Sequence, residues 1–206
     1  MSLTIELDRK LYYENNSNNF FGWLKTLKER FLEAKKIHIK TNIPNITGPF
    51  LDMFFQGLRE LPECIELICD NNNLSFLPKL PNLKGLDCSN NNLTTLPELP
   101  LCENLLCFNN KLAKLPDLPN CINLSCTNNM LENINSLPKC KWLECNYNKI
   151  NNIKLLPNCI KLDCSNNMIN SISLEQLNIC QAISWDNNNL ENNNKFRVFE
   201  KLYTEN

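Results

Sequence analysis

Leu83-Lys84-Gly85-Leu86-Asp87-Cys88-Ser89-Asn90-Asn91-Asn92-Leu93 decides how the chain is read, because its skeleton, apolar-x-x-Leu-x-Cys-x-x-Asn-x-Leu, recurs at a fixed step. The central leucine returns at Leu67, Leu86, Leu105, Leu124, Leu143 and Leu162, each 19 residues after the last. The asparagine returns in step at Asn72, Asn91, Asn110, Asn129, Asn148 and Asn167. A seventh copy, Cys180 to Leu190, follows a 21-residue step and keeps Ile183, Trp185 and Asn188 in frame. Within each copy, two inward residues flank one outward residue, as in Leu86-Asp87-Cys88, which is the period of a strand. A unit this short cannot bury its apolar face alone. Stacked copies can, as a parallel sheet with strands about 4.8 Å apart. Each copy sends some six apolar side chains inward, each contributing roughly 1.5–3 kcal/mol on full burial.

Outside the strand, the copies read Leu77-Pro78-Lys79-Leu80-Pro81, Leu96-Pro97-Glu98-Leu99-Pro100 and Leu115-Pro116-Asp117-Leu118-Pro119, and later ones keep only Pro138 and Pro157. Paired prolines exclude a regular helix and favour an extended, polyproline-like return. The asparagine at the end of each strand is expected to turn inward and bond backbone groups freed there.

This skeleton resembles the leucine-rich repeat, with cysteine where leucine is commoner. The resemblance spans residues 61–190 and implies an α/β solenoid: a horseshoe with a parallel concave sheet and an extended convex side. The Leu-Pro-x-Leu-Pro return is similar to that of bacterial leucine-rich-repeat effectors. Cysteine together with abundant asparagine is similar to repeat proteins of amoeba-infecting giant viruses.

Terminal repeats expose a core edge that must be covered. Residues 1–60 read as an N-terminal helical cap with a degenerate first repeat. Leu3 to Leu7 alternates like a strand, and Phe20, Trp23, Leu24, Leu27, Phe31 and Leu32 share one helical face. That face either covers the solenoid's end or lies on a membrane or a partner. Ile37 to Asn42 fits the repeat frame, and Pro49 suits the first turn of a second helix over Phe50–Arg59. Residues 191–206, with Phe196, Phe199, Leu202 and Tyr203 at helical spacing, read as a C-terminal capping helix.

Composition narrows the function. Lys and Arg total 21 against 22 Asp and Glu, so no global field steers the chain toward nucleic acid or an anionic membrane. No apolar run is long enough for a membrane span, and Met1 to Lys10 has no secretory apolar core. An intracellular, cytoplasmic location is expected, in a host's cytoplasm if the chain is an effector. The 38 asparagines against 4 arginines are also what an AT-rich genome yields.

Twelve cysteines invite thoughts of zinc or disulfides, but all fall on core positions of the frame. Cys69, Cys88, Cys107, Cys126, Cys145 and Cys164 take the inward strand position, and Cys64, Cys102, Cys121, Cys140, Cys159 and Cys180 the first apolar one. Reduced core thiols are expected. Within a copy, Cys121 and Cys126 lie roughly 16 Å apart at strand rise, too far for one metal or one disulfide. With His38 as the one imidazole and no Cys-x-x-Cys, neither a zinc site, another cofactor nor a nucleophile–base pair is expected. Bacterial effectors of the resembling class often carry a ubiquitin-ligase domain with a Cys-x-Asp motif, and this chain has no such triplet.

What remains is binding. The outward strand positions form three irregular rows, unlike the regular core rows. Leu106 and Phe108, with Trp142 and Tyr147 two copies on, flank the small Asn123, Ser125 and Thr127 as an apolar shelf roughly 10 Å across. Exposed aromatics of this kind anchor interfaces. Lys35, Lys36, His38 and Lys40 make the first strand basic, whereas later strands carry Glu66, Asp70, Asp87, Glu103, Glu144, Asp163 and Asp186 against Lys84, Lys141 and Lys161. Glu144 and Asp163 are close enough for paired acid–base work but read as a rung of surface charge. The expected function is a non-enzymatic, monomeric protein-interaction module. Its concave face binds a polypeptide through Asp87, Leu106, Phe108, Trp142, Glu144, Tyr147 and Asp163, the partner surface being basic. The alternative is an adaptor or effector-type protein that recruits a host enzyme or signalling component through its terminal helices as well.

Overall fold

The structure, a computed structural model, describes residues 2–7, 20–41, 44–170 and 179–189. The C-terminal helix expected over 191–206 lies outside them. The described chain is a parallel β-solenoid. Its main sheet takes β1 (Ser2–Leu7), β2 (Lys36–Thr41), β3 (Glu66–Ile68), β4 (Gly85–Asp87), β5 (Asn104–Leu106), β6 (Asn123–Ser125), β8 (Trp142–Glu144), β10 (Lys161–Asp163) and β11 (Ala182–Ser184) in that order. All these pairs are parallel and in the frame of the repeat: Leu67, Leu86, Leu105, Leu124, Leu143 and Leu162 pair in line, and Ile183 follows. The 21-residue step before Ile183 therefore leaves register intact, its two extra residues falling outside the strand.

The return side is extended, and among the described residues neighbouring returns pair in two places, the first an isolated parallel bridge between Glu60 and Lys79. In the second, β7 (Asn133–Ile134) and β9 (Asn152–Ile153) pair as a short second sheet. In these copies Asn135 and Lys154 replace the first proline, which frees an N–H: Lys154 N donates to Ile134 O at 3.1 Å. Earlier copies hold proline at this position and have no such donor.

Two helices take the place of the extended return in the N-terminal coils, one between β1 and β2 and one between β2 and β3. In α1 (Phe20–Glu33), Leu27 and Phe31 are buried while Lys25, Thr26, Lys28, Glu29 and Arg30 face outward. The second, α2, runs Pro44–Leu58, so it starts six residues before the expected Phe50. Pro44 opens it, at a place where no N–H is required, and Pro49 lies inside rather than at its start. Phe31 meets Phe54 edge-on at 5.0 Å and Phe55 at 6.1 Å, joining the helices in one core. Asp52 then ties α2 to the first full copy, its carboxylate accepting the N–H groups of Ser75 (3.0 Å) and Phe76 (3.0 Å).

The core is the stacked inner lining, with Leu61, Leu67, Leu74, Leu93, Leu105, Leu112 and Leu131 fully inaccessible. All twelve cysteines are free thiols, eleven of them buried. Cys180 departs from the expected pattern: it is only half-buried, at the first apolar position of the last described copy. Burial pushes the Cys64 thiol up to about 12 and those of Cys102 and Cys140 to about 11. The Cys159–Cys180 pair differs, because a hydrogen bond from the Cys159 thiol holds Cys180 below the usual thiol range and raises Cys159 in turn.

Candidate functional site: the concave sheet face

The outward rows exist because the turn after each strand is built the same way, and asparagine builds it. The ladder asparagines are buried, Asn148 and Asn188 half-buried, and nearly saturated. Asn110 Nδ2 donates to Cys88 O (3.0 Å), Cys107 O (3.1 Å) and Phe108 O (3.3 Å), while its Oδ1 accepts the Leu93 N–H at 3.0 Å. Asn91, Asn129 and Asn167 repeat the pattern. Asn72 Oδ1 is the exception, buried without a partner. In the other copies its donor is the residue two past the previous ladder asparagine, and in the sequence frame of the repeat that position before Asn72 holds Pro44, which has no N–H.

A second asparagine row, not read from the sequence, precedes the ladder. Asn71, Asn90, Asn109, Asn128, Asn166 and Asn187 all adopt positive φ, between 53° and 57°, a left-handed turn that asparagine tolerates better than most residues. Their side chains stack, Asn109 Nδ2 donating to Asn90 Oδ1 (2.7 Å) and Asn128 Nδ2 to Asn109 Oδ1 (2.8 Å). A third set staples the returns: Asn82, Asn120 and Asn158 donate to the carbonyls of Pro62, Pro100 and Pro138 at 2.6–2.8 Å. The asparagine content thus has structural work to do, whatever the genome.

Tyr147 stands in the second row at φ 53°, where every other described turn has asparagine, and its side chain is 59% exposed. It lies in the turn after β8, on the flank of the sheet rather than on the strand beside Trp142. Tyr147→Asn should therefore raise stability by about 0.5–1 kcal/mol, since it relieves a left-handed tyrosine. The urea midpoint checks this, and a fall in the midpoint would contradict it.

The other predicted residues fall as follows. Leu106 is 38% exposed and Trp142 is 52% exposed, two strands apart across β6, with Phe108 half-buried just beyond β5. The strand between them is braced: Ser125 Oγ donates to Glu144 Oε2 at 2.9 Å, and Thr127 Oγ1 donates to Asn146 Oδ1. Beside Trp142, Asn123 Nδ2 donates to Asn104 Oδ1 at 2.5 Å, and Asn123 Oδ1 is buried without a partner. Asp87 and Asp163 each accept the N–H and hydroxyl of the serine two residues on, Ser89 and Ser165. Asp87 lies three strands from Glu144 and does not join it, whereas Glu144 and Asp163 are direct partners on β8 and β10. Two of the acidic side chains have their own cations, Lys36 to Glu66 at 2.5 Å and Lys84 to Glu103 at 3.2 Å. No described ion pair reaches Asp87, Glu144 or Asp163.

Trp142, Glu144, Lys161, Asp163, Ala182 and Ser184 rim a shallow depression of about 490 Å³ floored by the strand backbones of β8, β10 and β11. Among the described residues there is no group of three or more His, Cys, Asp or Glu side chains placed to hold a metal ion. No described helix is long and apolar enough to cross a membrane.

No family model matches the chain, and no curated protein does. Solved structures do. A leucine-rich-repeat protein of Leptospira interrogans superposes with a TM-score of 0.58 at 22% identity, over 84% of this chain and 54% of that one. YopM, a leucine-rich effector protein from Yersinia pestis, gives 0.54 at 23% identity, over 82% of this chain and 60% of that one. The chain thus spans little more than half the length of either structure. Register, return and these likenesses together assign it the leucine-rich-repeat solenoid fold.

Proposed function

We propose that the chain is a non-enzymatic module that binds a polypeptide across its concave sheet, with a preference for a basic partner surface. The observation that carries this reading is the contrast between rows. Inward positions are filled by leucine and cysteine copy after copy, whereas outward ones vary and include an exposed tryptophan on β8, toward the C-terminal part of the sheet. Large aromatics on a rigid, water-facing sheet supply contact area at little entropic cost, and a handful of them dominate most interfaces. The acidic excess that survives internal pairing, Asp70, Asp87, Glu144, Asp163 and Asp186 against Lys141 and Lys161, favours a cationic partner and speeds its approach. With one imidazole in the sequence and eleven of the twelve thiols buried, a nucleophile–base pair has little to draw on, Cys180 being the half-buried thiol and its neighbour another cysteine.

Trp142→Ala and Phe108→Ser test the proposal. Each should weaken binding of a partner isolated with the full chain at least tenfold while leaving the melting temperature within a degree or two. Equal binding by both variants would contradict it. The adaptor reading, favoured by the likeness to an effector, adds a contact through the N-terminal helices. Deleting residues 1–34, which removes β1 and α1, separates the two: an unfolded remainder supports a capping role for that segment, and a folded remainder with lost recruitment supports a contact.

A further inference from the structure

The depression on β8, β10 and β11 has a chemistry more specific than a generic protein-binding face. Its rim carries two carboxylates on directly paired positions, Glu144 and Asp163, whose backbones are about 4.8 Å apart. Like charges placed side by side across strands are unfavourable, and no described cation pairs with either. Ser125 and Ser165 hydroxyls fix one oxygen of each, so the carboxylates are oriented without being neutralised. On the same strand as Glu144, two residues away and on the same face, stands Trp142 with half its surface in water. Ala182 and Ser184 opposite are small, which leaves the space open.

We infer that this depression is a pocket for an arginine side chain of the partner polypeptide, an inference that rests on the function proposed above. A guanidinium is planar and weakly hydrated, so it stacks on an indole face while its fork of donors reaches carboxylates to one side. Trp142 supplies the face, and Glu144 and Asp163 supply the acceptors. The guanidinium relieves the repulsion between the two carboxylates, and its aliphatic stem covers the Trp142 ring. Lys161, the direct cross-strand neighbour of Trp142, opposes entry of a cation on that row and sets the guanidinium toward the row of Glu144 and Asp163.

The test is a titration of the isotope-labelled full chain with N-acetyl-arginine amide, read at the Trp142 indole N–H and the backbone amides of Glu144 and Asp163. N-acetyl-citrulline amide, which keeps the shape and loses the charge, is the control. Saturable shifts are expected at these three positions with arginine, at least fivefold weaker binding with citrulline, and loss of the arginine response in Glu144→Gln/Asp163→Asn. Lys161→Gln should tighten arginine binding two- to fivefold. Equal responses to arginine and citrulline, no response at these positions, or an unchanged response in the folded double variant would overturn the inference. Loss of partner capture in Trp142→Ala without any arginine response sinks this pocket and leaves the binding module standing. An arginine response with capture unchanged in Trp142→Ala and Phe108→Ser does the reverse.

Discussion

Asn110→Ala is expected to lower the free energy of unfolding by about 3–5 kcal/mol, because it strands several buried backbone groups at once. The Asn110 amide accepts from Leu93 N–H and donates to Cys88 O and Cys107 O, all shielded from water. Alanine fills none of these roles. Each orphaned group costs roughly 1–3 kcal/mol, and local relaxation recovers part of the sum. Asn109, one residue earlier, is exposed and serves mainly to hold positive φ, so Asn109→Ala should cost only about 1 kcal/mol. Urea unfolding of the two variants side by side checks the pair, and equal losses would show that the buried ladder is not what holds the copies together.

Leu124→Ala should cost about 3–4 kcal/mol through lost transfer energy and the cavity left behind. Leu124 is 2% exposed and lies mid-sheet, paired with Leu105 on one side and Leu143 on the other. Its loss damages two interfaces, since each copy is stabilised chiefly by its neighbours. The unfolding midpoint measures the cost. Amide exchange should speed up first in β5, β6 and β8, and uniform acceleration along the array would argue against this nearest-neighbour picture.

The solenoid was legible because a parallel array leaves its register in the sequence: Leu67 to Leu162 repeat at one spacing, and each step is one rung. The core thiols were legible for the same reason. Other features were hidden by the ambiguity of single residue types. Asparagine does three jobs here, and spacing alone revealed only the buried ladder. The left-handed row of Asn90, Asn109 and Asn128 follows from backbone dihedrals that no side-chain pattern announces. Pro49 marks helix starts in general, which drew the expected start of α2 past Pro44. The half-buried state of Cys180 could not be read from its place in the frame, which it shares with five buried cysteines.

At the proposed site, the sequence placed Trp142, Glu144 and Asp163 on neighbouring rungs, because strand alternation and register fix the outward rows. It could not show which carboxylates keep cations of their own. Glu66 and Glu103 are paired with Lys36 and Lys84, whereas Glu144 and Asp163 accept only hydroxyl and amide donors. Nor could it show that Tyr147, grouped with Trp142 by proximity in the chain, sits in a left-handed turn. Backbone strain of that kind collects at functional positions, and the cost of Tyr147 is intelligible if its exposed ring is used.

Everything outward on the sheet depends on the thiols being inward, so their reactivity tests the account most directly. The native chain is treated with iodoacetamide at pH 8 and each cysteine is quantified by peptide mass mapping. Cys180, half-buried and with its thiol lowered by the Cys159 hydrogen bond, should label rapidly and alone, with the other eleven reacting only after denaturation. Rapid native labelling of Cys88, Cys107 or Cys126, or their recovery as disulfides, would contradict the coil and the concave face built on it.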